Sequence, residues 1–165
     1  YTKIRYTDEH LSNTSLNNIL DGVTADLSEQ IADNGITVNT GSLPIVKGIP
    51  FLLTQLFANL VGNSIKFSDN SRPQIITIAP EPTATIDGQR YHHISITDTG
   101  IGFEKKYAES IFKIFSRLNT QQVYHGSGVG LALCKKIMES HNGHISAAGI
   151  PGEGAVFNLY FPIYS

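Results

Sequence analysis

The stretch Gly126-Ser127-Gly128-Val129-Gly130-Leu131 places three glycines at alternate positions directly before a helical segment, Ala132–His141. Glycines leave the backbone free to adopt positive φ and leave its N–H groups unobstructed. A helix starting there points its unpaired N–H groups and the positive end of its dipole at one spot. In physical terms that is a phosphate-binding turn. Two common versions do not fit. A dinucleotide fingerprint needs a preceding strand and a third glycine where Leu131 stands, and a P-loop needs Gly-Lys-Ser/Thr where the chain has Gly130-Leu131-Ala132.

A second cluster, Asp98-Thr99-Gly100-Ile101-Gly102-Phe103, sets two glycines just after an acid. A third lies on the helix predicted over Phe51–Phe67. At about 100° per residue, Leu53, Leu56, Phe57, Leu60 and Val61 make one apolar face. Gln55, Asn59, Gly62, Asn63 and Lys66 line up opposite as a polar stripe. Two Asn and a Gly are poor helix formers for a merely solvated stripe, so they point to a ligand. An adenine nucleotide laid between the glycine clusters suits these types. Asp98 would accept from the adenine amino group, where guanine presents a carbonyl. Gly100 and Gly102 would let the backbone approach the base. The amide oxygen of Asn63, with Asn59 as second candidate, is a hard ligand for Mg²⁺. Lys66 would sit near phosphate as a point charge, and Arg117 could clamp it with a fork.

These side chains need a scaffold. Leu16, Ile19, Leu20, Val23, Leu27 and Ile31 predict one helix, N-capped by Ser15 and stopped at Asn34-Gly35. Tyr1–His10 is a lead-in, Ile36–Thr40 a short strand, and Gly41–Pro50 a loop. Gln74–Ala79 and Tyr91–Thr97 are strands joined through Asp87-Gly88. Ile94, Ile96 and Asp98 share one face of the second, so the carboxylate emerges toward the helices. Phe103–His125, between two glycine clusters, reads as a mobile lid with surface charges at Lys105 and Lys106. The helix after Gly130 has a wide apolar side (Val129, Leu133, Cys134, Ile137, Met138). His144–Ala148 and Ala155–Phe161 are two closing strands. His92 and His93 point to opposite faces, and His141 and His144 read as structural.

At 165 residues the chain is long enough for one domain with a real core, taken as 1–165 with 1–14 a lead-in from an upstream region. A net charge of −2 without a basic run argues against nucleic acid and against direct membrane contact. No apolar run approaches the ~20 residues of a spanning helix. Cys134 is the single cysteine, cannot form an internal disulfide, and reads as a small core residue of a reducing compartment. The chain opens at Tyr1 without Met and reads as an excised domain.

Asn59-Leu60-Val61-Gly62-Asn63-Ser64-Ile65-Lys66-Phe67 resembles the N box of the GHKL superfamily of gyrases, certain chaperones, histidine kinases and mismatch-repair ATPases. Asp98–Phe103 resembles its first glycine box, Ile111–Leu118 its phenylalanine box, and Gly126–Leu131 its second glycine box. Order and spacing match too, from about Leu16 to Pro162. His141-Asn142-Gly143-His144-Ile145 and Gly154-Ala155-Val156-Phe157 are most similar to the ATP-binding catalytic domain of bacterial sensor histidine kinases. The resemblance implies an α/β sandwich of the Bergerat type, a mixed sheet covered on one face by helices, with ATP under a flexible lid. It implies MgATP as cofactor and nucleotide contacts from Asn59, Asn63, Lys66, Asp98, Gly100, Gly102, Arg117 and Gly126, Ser127, Gly128, Val129, Gly130, Leu131.

It further implies transfer of the γ-phosphate to a histidine on a separate helical hairpin, the dimerisation element of such kinases, with a response regulator downstream. That makes the chain a protein-histidine kinase domain of a two-component phosphorelay, monomeric in isolation and cytoplasmic, its parent protein free in the cytoplasm or anchored in the inner membrane. Members that hydrolyse ATP carry a glutamate base where this chain has Asn59, and an amide cannot take the proton from water. Hydrolysis by the domain alone is therefore expected to be negligible. Other readings remain open: a nucleotide-sensing or docking module, and the serine-kinase branch of the superfamily. Departures are the missing Arg ahead of the N box, Ser64 for Ala and Ala155 for Thr, none of them expected to touch the central constellation.

Overall fold

A computed structural model of the chain describes residues 11–113 and 130–164. In chain order these form β1 (Ser12–Ser15), α1 (Leu16–Asp26), α2 (Ser28–Asp33), β2 (Ile36–Thr40), β3 (Ile45–Gly48), α3 (Pro50–Lys66), β4 (Gln74–Ile86), β5 (Gln89–Asp98), α4 (Gly130–Ser140), β6 (His144–Ile150) and β7 (Gly154–Pro162). Short 3₁₀ turns at Lys105–Tyr107 and Ser110–Phe112 lie between β5 and α4.

Five strands make a mixed sheet in the order β2-β4-β5-β7-β6, with β2 and β4 parallel and the other neighbours antiparallel. Helices and sheet close over one core in which Leu16, Leu20, Leu53, Leu60, Ile78, Ile94, Ile96 and Leu159 are fully buried. The architecture is the expected two-layer α/β sandwich.

α3 forms where the apolar spacing predicts it. Pro50 opens it at a position whose N–H has no helical partner anyway. Its buried residues are the predicted five plus Ser64 and Ile65. Asp87 (φ +50) and Gly88 (φ +81) make the mirror-image turn that matches strand twist between β4 and β5.

Four expectations need correction. The predicted single helix breaks at Leu27 (φ −98, ψ 8) into α1 and α2, although Ser15 does cap α1, its Oγ accepting from the Asn18 N–H at 3.2 Å. Gly41–Pro50 is not all loop: Ile45–Gly48 pairs antiparallel with Ser12–Ser15, the end of the expected lead-in. Leu133, assigned to a buried face of α4, is exposed, while Cys134, Ile137 and Met138 are buried. The described start of the expected mobile lid is packed. Phe103 lies against Gly149, and Ile111 and Phe112 join the core, Phe112 edge-on to Phe157 at 6.1 Å. Lys105 and Lys106 are exposed, as expected.

Cys134 is fully buried with its thiol 3.8 Å from the Leu56 carbonyl oxygen, and burial pushes it up to about 12. It is a core residue. Among the described residues no helix is long and apolar enough to cross a membrane.

Candidate functional site

The end of β5 places Asp98 on the helix side of the sheet, in register with Ile94 and Ile96, both fully buried. Its carboxylate is half-buried and held from three directions. Oδ1 accepts from the Gly100 N–H at 2.9 Å and the Ala155 N–H at 3.2 Å, and Oδ2 accepts from the Ser64 hydroxyl at 3.0 Å. Burial raises the Asp98 pKa above the usual carboxylate value. The bonds from Gly100, Ser64 and Ala155, and the charge of Arg72, oppose that rise. Ser64 and the backbone of Ala155, two departures expected to lie outside the constellation, are therefore in direct contact with its acid.

The N box and first glycine box meet at the end of α3. The Ile101 N–H donates to the Phe67 carbonyl at 3.0 Å, and a side chain at Gly100 would run into that same oxygen. Gly102 (φ +68) is packed against the Ile150 and Gly154 carbonyls of the β6–β7 turn. The space at both glycines is thus taken by the chain's own backbone. Their smallness lets the loop seat against α3 and the turn, which the reading of the sequence had assigned to the base.

α4 runs antiparallel to α3, its first residue near mid-α3 and its last at the start of α3. At Gly130 the nearest heavy atom to an added Cβ is Asn59 Oδ1, at 3.8 Å. The stripe of α3 behaves as predicted: Gln55, Asn59, Gly62 and Asn63 are half-buried and Lys66 is exposed. The structure therefore brings Asn59 and Gly130 together at the middle of α3, and Asp98 and Gly100 to its C-terminal end, with Gly102 seated on the β6–β7 turn. Arg117, Gly126, Ser127, Gly128 and Val129 lie outside the described residues, as does most of the expected lid.

Gly62 faces open space, with nothing within 4 Å of an added Cβ. Gly62→Ala is expected to raise stability by about 1 kcal/mol through helix propensity alone, measured by urea denaturation. A loss of stability would show that the open side of α3 is filled by protein.

No cluster of three or more His, Cys, Asp or Glu able to hold a metal occurs among the described residues. The donors on the stripe are amide oxygens, which suit a hard cation whose other ligands come from phosphate and water. A small cavity lined by Ser42, Leu43, Pro44, Pro80, Glu81, His92 and His93 sits elsewhere, around positions 80–81 of β4 and 92–93 of β5. His92 and His93 both border this cavity, and His93 Nε2 meets Asn158 Oδ1 at 2.8 Å.

Besides Ser64, one residue of the site was missed. Arg72, in the segment between α3 and β4, holds the first glycine box by its main-chain carbonyls. The only sequence signal was a cation placed a few residues after the N box.

An α/β sandwich with an acid at a strand end, an amide-bearing helix beside it and a glycine opening the next helix has the layout of an ATP-binding domain. The chain belongs to the family described as histidine kinase-, DNA gyrase B-, and HSP90-like ATPase, whose model matches residues 48–165. The phytochrome-like protein Cph1 of Synechocystis is 36% identical over 99% of this chain and 21% of its own length. The adaptive-response sensory kinase SasA of Synechococcus elongatus is 35% identical over 78% of this chain and 32% of its own length. The nucleotide-free catalytic domain of histidine kinase ThkA superposes with a TM-score of 0.74 over 92% of this chain and 97% of that one, at 24% identity. The chain thus spans about a fifth of the phytochrome-like relative, and it is a catalytic ATP-binding domain of the histidine-kinase kind.

Proposed function

We propose that this site binds MgATP and presents its γ-phosphate to a histidine on a separate helical hairpin of the same kinase, with a response regulator as later recipient. The observation that carries the adenine assignment is the occupancy of Asp98. An ionised carboxylate offers about four lone-pair positions. Two on Oδ1 are taken by N–H groups and one on Oδ2 by Ser64. One acceptor position on Oδ2 remains, and the 6-amino group of adenine is a donor of the right kind.

Asn59, Asn63 and Lys66 then face the phosphates, Asn63 completing the Mg²⁺ shell with Asn59 as second ligand. Gly130 and Leu131, with Gly126, Ser127, Gly128 and Val129 before them, receive phosphate at the helix start, and Arg117 clamps it. Gly100 and Gly102 shape the loop that carries the base. When bound, MgATP supplies the phosphoryl group. The chain's own residues bind and orient it, and with an amide at position 59 no carboxylate on the stripe can activate water. The domain works in the cytoplasm, where ATP is held.

Calorimetric titration of the chain with Mg-ADP tests the reading. Asp98→Asn keeps an oxygen for Gly100 and Ala155 but turns an N–H₂ toward the adenine amino group, donor facing donor. Affinity is expected to fall at least about tenfold, the worth of one hydrogen bond to a charged group. Equal affinity in the variant would remove adenine from Asp98.

A further inference from the structure

The segment between α3 and β4 contains an arginine whose bonds are spent almost wholly on the first glycine box. Arg72 donates from Nε at 3.0 Å and from Nη2 at 2.6 Å to the Thr99 carbonyl, and from Nη2 at 2.6 Å to the Gly100 carbonyl. Nη1 pairs with Asp69 Oδ2 at 3.0 Å. Asp69 is itself fixed, its N–H donating to Gln74 Oε1 at 2.8 Å and its Oδ1 accepting from the Ser71 N–H and hydroxyl. The guanidinium is therefore aimed by a braced acid.

The geometry matters because of which peptide is gripped. The Thr99 carbonyl and the Gly100 N–H belong to one rigid peptide plane. Arg72 holds the carbonyl edge, and the N–H edge holds Asp98 Oδ1 at 2.9 Å. Rotating that plane would move the donor that aligns the carboxylate.

We propose that Arg72 is a positioning residue for nucleotide binding: it locks the Thr99–Gly100 peptide and keeps a permanent positive charge beside Asp98. This rests on the reading that adenine binds Asp98. Lysine carries its donors on one nitrogen at the end of a flexible stem and cannot reproduce the grip of three separate nitrogens on the Thr99 and Gly100 carbonyls and Asp69, whereas the planar fork can. The groups acting on Asp98 are the Ser64 hydroxyl on α3, the Gly100 and Ala155 N–H groups, and Arg72 as the charged one, with Asp69 behind it. Burial pushes Asp98 toward its protonated form and the Arg72 charge opposes this. Removing that charge moves Asp98 protonation, and with it the acid-side loss of binding, to higher pH.

The test is Mg-ADP affinity from about pH 5 to about pH 8 for wild type, Arg72→Ala, Arg72→Lys and Asp98→Asn, with folding checked by circular dichroism. Arg72→Ala is expected to bind about tenfold more weakly at neutral pH and to lose binding at higher pH than wild type. Arg72→Lys is expected to keep the wild-type pH profile while recovering only part of the affinity. Should the alanine variant fail to fold, the split in the lysine variant still decides. A folded Arg72→Ala within about twofold of wild type and with an unshifted profile overturns the inference, and a lysine variant equal to wild type in affinity does the same. If Asp98→Asn also binds as wild type does, the adenine reading falls with it; if only the arginine variants are silent, the adenine reading stands.

Discussion

The Gly102→Ala variant is expected to lose about 3 kcal/mol of stability or more and, with it, measurable nucleotide affinity. Two costs add. The residue sits at φ +68, a conformation that disfavours any side chain. An added Cβ would also fall onto the Ile150 carbonyl oxygen and 2.7 Å from that of Gly154. Both obstacles are backbone, so no rotamer change relieves them. The turn they belong to is itself tied down. The Gly152 N–H donates to the Ile101 carbonyl at 2.7 Å, and Gly154, at φ +134, is seated on the Asp98 carbonyl. A shift that accommodates the methyl group must therefore move the strand end carrying Asp98. Gly152→Ala is the control, since its φ is +79 but nothing lies within 4 Å of the added atom. It should show the conformational cost alone, about 1 kcal/mol. Urea denaturation and Mg-ADP titration of both variants separate collision from φ strain. Equal losses in the two would show that the β6–β7 turn yields, and that the loop is not wedged.

How far the sequence reached depends on the range of the interaction concerned. α3 was legible because its apolar face repeats within seventeen residues, and the end of β5 because Ile94, Ile96 and Asp98 alternate on one face. Both are local periodicities set by backbone geometry. The break at Leu27 was not legible, since Leu27 and Ile31 still pack on the core and the apolar rhythm continues across it. Ile45–Gly48 was hidden for a different reason: its partner strand lies at Ser12–Ser15, and Pro44 and Pro50 beside it read as loop residues.

The candidate site divides the same way. Residue types and order named Asp98, the amides of α3 and the glycines. The contacts of Ser64 and Arg72 cross 34 and 27 residues, and Arg72 is bound mainly to main-chain carbonyls that leave no trace in residue identity. Glycines on both sides made Phe103–His125 look like a free lid, but Phe103, Ile111 and Phe112 supply enough apolar surface to bind its first part to the core. At Gly100 and Gly102 the sequence suggests close approach to a base, while the neighbours the structure sets against them are Phe67, Ile150 and Gly154.

His141→Ala is expected to cost about 4 kcal/mol, the sum of a large-to-small change in a filled core and one stranded buried donor. The imidazole is fully buried where α4 ends against the start of α3. Nε2 lies 3.0 Å from the Ile49 N–H, which can only donate, so Nε2 accepts. The proton is then on Nδ1, 2.8 Å from the Ile137 carbonyl, and the ring must be neutral to serve both. The chain reverses immediately afterwards, with Asn142 at φ +60 and the Gly143 N–H donating to the Met138 carbonyl at 2.8 Å, so the ring is fixed by a closed helix end.

Burial lowers the His141 pKa, partly opposed by the bond to Ile137. The unfolded chain therefore takes up a proton that the folded chain refuses. Stability contributed by this group is complete above the ordinary histidine range near pH 6.5 and is lost as pH falls below it, at no more than about 1.4 kcal/mol per pH unit. Urea denaturation of wild type and His141→Ala at neutral and mildly acid pH checks both parts, because the variant should be weaker throughout and lack this share of the acid slope. Parallel slopes would mean that the folded chain protonates His141 as readily as the unfolded chain does, the Ile49 bond giving way at no net cost. The outcome bears on function through α3, which starts at this bond and carries Asn59, Asn63 and Ser64 further along. Since nucleotide binds only the folded chain, excess Mg-ADP should restore part of the stability lost in the variant by mass action. An ADP effect as large as in wild type would show that the stripe and Asp98 keep their alignment when the far end of α3 is loosened.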